Sequence, residues 1–516
     1  MSYQKIMSVA AITFCFTTGY GQWENSILAN QAIETTIQSN STFFHDNGVP
    51  AFELNGSSDK HIFRYGSIWM MGVDSGKTFG SMSVNSSSEE LWPGPIDTIT
   101  GLPKDPYEWN EIWSVSAAEV EFHKAHYRES GYQPIESIST WPASHNETNV
   151  SAVLAPFIDW NTDGKYDPKD GDYPNLPGVE NTYFIANDGA GEHLTSGTQK
   201  LGVELQGFFY TKSDEYLQQV VYLDVFAVNR SDRNYVPFYF ANYIDLELGN
   251  ANDNYCGTEL IRNMVFGING DDNDEGSEGY GTSLPAAGAL SLSHPMFASI
   301  AFQKGDTVRD FAKNSGEYRN VMEGKWRNGD DKIRKGNGTG TGMATTFMYS
   351  GNSEPDFPTA NWTDSSSGDQ AGQRNILSIY KIESLKAKSF EKFSMAFFGF
   401  TGTENSMDKL IEIASKIIDA NGGPVSTQSV TNEPFVVYPN PLISGNSIYF
   451  DGLYSGDISV QMFTLDGRET RIEKIEKIYP SKFRIQCSDN VVNGIYILKV
   501  RSIDDVVSKR LLIQRP

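Results

Sequence analysis

Hydrophobic and polar positions along this chain follow the period of strands for most of its length. KLGVELQGFFY (200–210) alternates Leu201, Val203 and Leu205, which fits a strand buried on one face. QQVVYLDVFAV (218–228) is apolar on both faces and reads as a central strand. After the polar turn Asn229-Arg230-Ser231-Asp232 comes another strand-like run, YVPFYFANYIDLEL (235–248). ILSIYKIESL and FSMAFFGFTG, between 376 and 402, add two more. Consecutive strands joined by short polar turns predict an antiparallel sheet. One stretch has a clear helical period. Met407, Leu410, Ile411, Ala414, Ile417 and Ile418 form a single apolar stripe, so this helix should pack on the sheet. SAAEVEFHKAHYR (116–128) predicts a second, weaker helix.

The pattern changes after residue 420. Asn421-Gly422-Gly423-Pro424 stops the helix, and 424–433 is a polar linker without periodicity. It separates a β-rich cargo, 22–423, from a tail, 434–516. The tail is a run of short strands. Val460, Met462 and Thr464 alternate before Asp466-Gly467, a hairpin signal, and Asn493-Gly494 turns into the strand at 495–500. KRLLI (509–513) closes the run. The fold class expected is mainly β: a large antiparallel cargo domain with a few helices, followed by an Ig-like β-sandwich.

The N-terminus changes the picture of where the protein goes. Lys5 precedes the apolar stretch Ile6 to Phe16, and Gly19 and Gly21 put small residues before a cut at Gln22. This is the pattern of a secretory signal over 1–21, and no later run is long and apolar enough to span a bilayer. Cleavage leaves Cys256 and Cys487 in different domains, which predicts two buried thiols rather than a disulfide framework. The formal charge is −24. The tail holds 11 Lys and Arg against 9 Asp and Glu, so the acidity belongs to the cargo. A surface this acidic argues against nucleic acid as a partner.

The strongest chemical motif is the segment 159–170. A calcium ion takes six to eight oxygens, which an EF-hand-type loop supplies at positions 1, 3, 5, 7, 9 and 12 around a glycine at 6. Asp159, Asn161 and Asp163 fill 1, 3 and 5, and Gly164 fills 6. The Lys165 carbonyl stands at 7, Asp167 at 9 and Asp170 at 12. Asp170 is shorter than the usual Glu, and Pro168 prevents a second helix from following directly. A second acidic region, Asp245, Glu247, Asp253 and Asn254 with Asp271-Asp272-Asn273-Asp274-Glu275, lacks loop spacing and reads as a solvated surface.

Other motifs favour ordinary structural roles. Glu119, His123 and His126 share a helix face but form no HExxH, so packing is the better reading than zinc. Gly76-Lys77-Thr78 lacks the spacing of a phosphate loop, and Gly336 to Gly342 reads as a flexible loop without a preceding strand. No GxSxG is present. Trp69, Trp92, Trp109, Trp113, Trp141, Trp160, Trp326 and Trp362 are read as core residues before sugar platforms.

Two resemblances carry functional weight. YPNP (438–441), the block 460–468, NGIYILKV (493–500) and KRLLI resemble the type A C-terminal sorting domain of the Bacteroidetes type IX secretion system. That resemblance implies recognition by the outer-membrane translocon after general secretory export. It also implies removal of the tail, with the cargo released or attached to surface lipopolysaccharide. The cargo resembles a group of Bacteroidetes secreted proteins with this tail, on HIFRYGSIWMMGVDSG (61–76), LWPGP (91–95), IWSVSAAEVEFH (112–123), PFIDWNTDGKYDPKDGDYP (156–174), NDNYCG (252–257), INGDD (268–272) and LPAAG (284–288). That second resemblance implies no activity. The expectation is an exported, calcium-stabilised structural or adhesive protein at the cell surface, with surface glycan as a candidate partner. The alternative is a secreted polysaccharide-active hydrolase or lyase using a carboxylate pair about 5–10 Å apart in a cleft.

Overall fold

The computed structural model describes residues 23–513, except 55–59, 144–148, 152, 355, 360, 422–434, 439–441, 443–444, 453–458, 465–468, 480–481, 489–490 and 502–505. The signal segment, the linker, Pro439 to Pro441 of YPNP and the Asp466-Gly467 turn lie outside the described residues. Strands take 41% of the chain and helices 10%, so it is mainly β as the pattern predicts. The chain divides into two compact units, Met1–Thr427 and Gln428–Pro516.

The first unit is built on two large antiparallel sheets. One runs in the order Asn25–Ala29, Ile33–Gln38, Phe52–Leu54, His61–Asp74, Phe238–Leu246, Arg374–Ile382 and Met296–Phe302. The other runs Asn254–Glu259, Met264–Asn269, Leu284–Ser291, Phe390–Gly402, Val220–Asn229, Val203–Tyr210, Glu180–Asn187 and Trp92–Pro93. The sheets face each other across an aromatic core. Phe240 of the first stacks on Phe393 of the second at 4.0 Å between ring centroids. Phe43 reaches Phe209 at 5.0 Å and Phe397 at 5.4 Å.

Val220–Asn229 shows why its sequence is apolar throughout. Val221, Leu223 and Val225 enter the core between the sheets, while Val220 and Tyr222 enter a second core on the outer face. There the helix Ser406–Ala420 lays down Leu410, Ile413, Ala414 and Ile417, in the same core that takes Trp113 and Trp141. The outer face of the first sheet is covered too. Trp69 stacks on Tyr243 at 5.2 Å, and Tyr318 of the helix Ser315–Met322 donates its hydroxyl to the Met70 carbonyl at 2.6 Å.

One expectation is corrected. Val220–Asn229 and Phe238–Leu246 are consecutive but not paired, and neither are Arg374–Ile382 and Phe390–Gly402. Each pair crosses from one layer to the other. The two crossings lock together. Tyr235 and Leu385 exchange backbone hydrogen bonds at 3.1 and 3.0 Å, and Asn229 Nδ2 donates to the Lys386 carbonyl at 3.0 Å.

The close packing at Gly66 gives a prediction. A Cβ there would stand 2.0 Å from Phe43 Cε2, inside the aromatic core. Gly66→Ala should therefore lose about 2 kcal/mol through forced displacement of the Phe43 ring. Urea unfolding of the two proteins would measure it, and equal midpoints would refute the account.

The second unit has two four-stranded antiparallel sheets among its described residues. They are Phe435–Tyr438, Ser447–Gly452, Lys482–Cys487, Ile472–Tyr479 and Glu469–Thr470, Ser459–Thr464, Gly494–Arg501, Val506–Ile513. Period-two residues fill its core: Val460 and Met462, Phe483, Ile485 and Cys487, Tyr496, Leu498 and Val500. Cys256 and Cys487 are both buried.

Candidate functional site

The loop 159–172 rises from a short neck. Phe157–Ile158 pairs with Tyr173–Pro174, so both ends of the loop are fixed by a ladder. Its head is organised by the residues at positions 1, 3 and 5. Asp159 accepts from the backbone N–H of Gly164 at 2.8 Å and of Asp163 at 3.2 Å. Asn161 Oδ1 accepts from the Asp163 N–H at 3.0 Å, and Asp163 accepts from the Lys165 N–H at 2.8 Å. Gly164 has φ of +81°, the left-handed turn that position 6 demands. The Tyr166 hydroxyl ties the loop to the Ile138 carbonyl at 2.7 Å.

The second half is arranged differently. Asp167 caps the short 3₁₀ turn Pro168–Asp170, its carboxylate accepting from the Lys169 N–H at 2.9 Å. Asp170 is exposed on that turn. Among the described residues no group of three or more His, Cys, Asp and Glu side chains is placed to hold a metal ion. Asp159, Asn161 and Asp163 are thus brought together, and Asp167 and Asp170 are not. The residue that closes the loop is Asp172, which the motif register passes over. It is fully buried and accepts from the Trp160 N–H and the Asp167 N–H, both at 2.8 Å, one from each end of the loop. Burial pushes its carboxyl up, its two N–H donors oppose this, and the charges of Asp159 and Asp163 add to the rise. The signal was the spacing Asp170-Gly171-Asp172, whose glycine lies against the Tyr127 ring where a Cβ would come within 2.6 Å.

The histidine helix, Ala117–His126, is structural. Glu119 forms a capping box with Ser116, its carboxylate accepting from the Ser116 N–H at 2.7 Å. His123 is buried with Nδ1 at 3.1 Å from the Tyr132 hydroxyl, and His126 Nδ1 turns to the Phe122 carbonyl. Gly76-Lys77-Thr78 is a hairpin end. Asp74 pairs with Lys77 across Ser75 and Gly76, both at positive φ. Gly336 to Gly342, expected as a flexible loop, is docked instead. Trp362 and Trp326 donate their indole N–H to the Gly336 and Gly338 carbonyls, each at 2.8 Å. Trp69, Trp109, Trp113, Trp141, Trp326 and Trp362 are buried; Trp92 is half-buried, and Trp160, on the loop, is 54% exposed.

The second acidic region is the largest correction. Asp245, Glu247, Asp253, Asn254 and Asp274 are buried, not solvated, and only Asp271, Asp272 and Glu275 are exposed. Glu247 lies 2.6 Å from Arg64 Nη1 and 2.9 Å from His61 Nε2. Asp245, two residues earlier on the same face, accepts from Gln373 Nε2 at 3.0 Å. Period two placed this pair together, yet charge alone suggested solvent, because their partners come from positions 61, 64 and 373.

A groove of about 440 Å³ lies beside the edge strand Asn254–Glu259, between the loop 349–365 and Met407 and Ile411 of the helix. Its lining carboxylates are already engaged. Glu259 pairs with Arg262 at 3.4 Å and Asp364 with Arg374 at 2.7 Å. The carboxyls that burial pushes up to about 7, Glu89 and Asp245, do not line it.

Residues 436–514 match the family model described as the secretion system C-terminal sorting domain. The chain carries a type IX sorting tail. The tail thus implies interaction with the type IX secretion machinery and indicates export, with the cargo attached to the outer cell surface or secreted. No curated protein matches the chain. A solved structure described as the BSP domain of a biofilm-associated protein aligns over 96% of this chain and 81% of that one, at 10% identity. Its TM-score of 0.14 is too low to carry an argument. Among the described residues no helix is long and apolar enough to cross a membrane.

Proposed function

We propose that the tail delivers a rigid, calcium-stabilised β-sandwich that acts as a structural or adhesive component at the outer surface. The observation that carries the calcium reading is the convergence of Asp159, Asn161 and Asp163 on the amides of 163–165, with Gly164 at position 6. Asp172 supports it by holding both ends of the loop before any ion arrives, which lowers the ordering cost of binding. Asp167 and the Lys165 carbonyl would complete the set once Asp167 leaves the Lys169 N–H. Extracellular calcium would then couple loop order to export. The structural or adhesive role, with surface glycan or lipopolysaccharide as partner, is favoured over hydrolysis because the groove's two carboxylates are both held by arginines.

The test is a thermal melt of the full chain in chelator, then in millimolar calcium. A site with dissociation constant near 0.1–1 mM should add about 2 kcal/mol at roughly 10 mM calcium. The doubly substituted D159N/D163N protein should lose the part of the gain that the loop supplies. No shift in the unsubstituted chain would sink the calcium reading, and cleavage in a polysaccharide hydrolysis screen would sink the non-enzymatic one.

A further inference from the structure

The buried acids beyond the loop form a second, unrelated cradle. Three side chains hang on one residue, Asn250. Its Nδ2 donates to Asp253 Oδ2 at 3.0 Å, its backbone N–H donates to Asp274 Oδ1 at 2.9 Å, and its carbonyl accepts from Asn254 Nδ2 at 2.9 Å. Asp274 uses its other oxygen on the Tyr280 N–H at 2.7 Å. Asp253 Oδ1 and Asn254 Oδ1 are left over. Both are shielded from solvent, Asp253 being 9% exposed and Asn254 fully buried; Asn254 Oδ1 has no hydrogen-bond partner, and beyond Asn250 only the Asn269 amide approaches the Asp253 carboxylate.

Two sheltered acceptor oxygens without a well-formed hydrogen bond are costly, more so when one belongs to a carboxylate. Asp253 forms no ion pair among the described residues, and the neighbouring charges, Asp274 and Asp271, are of its own sign. Lys60, whose ammonium stands 5.3 Å from the Tyr280 ring centroid, faces Asp274 rather than Asp253. Asn269, opposite Asn254 in the ladder, turns its amide toward Asp253, and the Tyr280 hydroxyl is buried without a partner. Oxygen acceptors for the ion and polar groups for its remaining water are together what a partly hydrated hard cation requires.

We propose that the turn Asn250–Asn254, with Asp274, binds a hard divalent cation of the calcium class through Asp253 Oδ1 and Asn254 Oδ1. The site is independent of the loop 159–170. With one carboxylate oxygen uncommitted and both Asp274 oxygens held by N–H groups, it belongs to the weak, extracellular range of affinities, suited to a protein displayed outside the cell.

Calcium itself is the probe, titrated calorimetrically into the full chain after chelation. Two equivalents are expected. Asp253→Asn should lose one equivalent, and in chelator it should melt higher than the unsubstituted chain, because it removes an unpaired buried charge. Asn254→Asp, which adds a carboxylate, should bind calcium more tightly at this site and melt lower in chelator. The D159N/D163N protein should keep the equivalent assigned here. If D253N binds with unchanged stoichiometry, or if D159N/D163N abolishes all binding, the proposal is overturned while the loop reading stands. If D253N alone abolishes all binding, the loop reading falls and this one stands.

Discussion

Asp364→Ala should destabilise the cargo by about 4 kcal/mol, with a matching loss of urea midpoint. Asp364 is 2% exposed and Arg374 4%, and the two meet at 2.7 Å through Oδ2 and Nε. Removing the carboxylate strands a buried guanidinium, whose remaining partners are the Gln370 and Gln373 carbonyls. The damage does not stop there. Asn254–Glu259 is the last strand of its sheet, and its outward amides need acceptors. Asp364 accepts from the Cys256 N–H at 3.0 Å, the Tyr349 carbonyl from Thr258 and the Ser353 hydroxyl from Leu260. The loop 349–365 is thus a plug on a sheet edge, and Asp364 is the charged member of it. Asp364→Asn should recover part of the loss, since an amide oxygen still accepts from Cys256. Identical midpoints for D364A and the unsubstituted chain would refute the account.

How much of this was legible in the sequence depends on the range over which each feature acts. Val203–Tyr210, Val220–Asn229 and the helix Ser406–Ala420 follow from local period, because a strand or helix face is written within ten residues of itself. The pairing of strands was less legible. Asn229 and Tyr235 look like the two sides of a hairpin, yet the chain changes layer between them, and the groups that hold the crossing, Leu385 and Lys386, come from far along the chain. Buried charge was the least legible. Asp245 and Glu247 read as acidic surface until Arg64, His61 and Gln373 arrive from elsewhere in the chain. At the loop, positions 1 to 6 were legible because they make local Asx turns. Asp172 was not, since its role depends on being buried beneath Trp160 and Asp167. The sorting tail was legible because its blocks are short, ordered and local.

Stability should also fall as pH rises from about 4 to 7, and Asp245 should be a main cause. It sits across from Tyr65 and Asn375 on neighbouring strands, with Gln373 on its oxygens and Arg64 Nε 3.9 Å away. Burial pushes its carboxyl up to about 7, against the pull of Gln373 and Arg64 and with Glu247 adding to the rise. In the unfolded chain the same group ionises near 4. Between those values the folded protein holds a proton that the unfolded chain has lost, so unfolding becomes easier with each step up in pH. The loss is complete above the folded value and is on the order of 4 kcal/mol for this residue. Glu89, raised to about 7 chiefly by burial, and Asp253, raised to about 6, act in the same direction. His45 opposes them on the acid side. Burial lowers its ring to about 4, so the unfolded chain takes the proton first and stability drops as pH falls below about 6.5. The optimum therefore lies on the acid side of neutrality. Asp245→Asn keeps an acceptor for Gln373 and has no charge to bury. Its midpoint should exceed that of the unsubstituted chain at pH 8, approach it only near pH 4, and show a shallower slope between. A slope unchanged by the substitution would mean that another group sets the pH dependence.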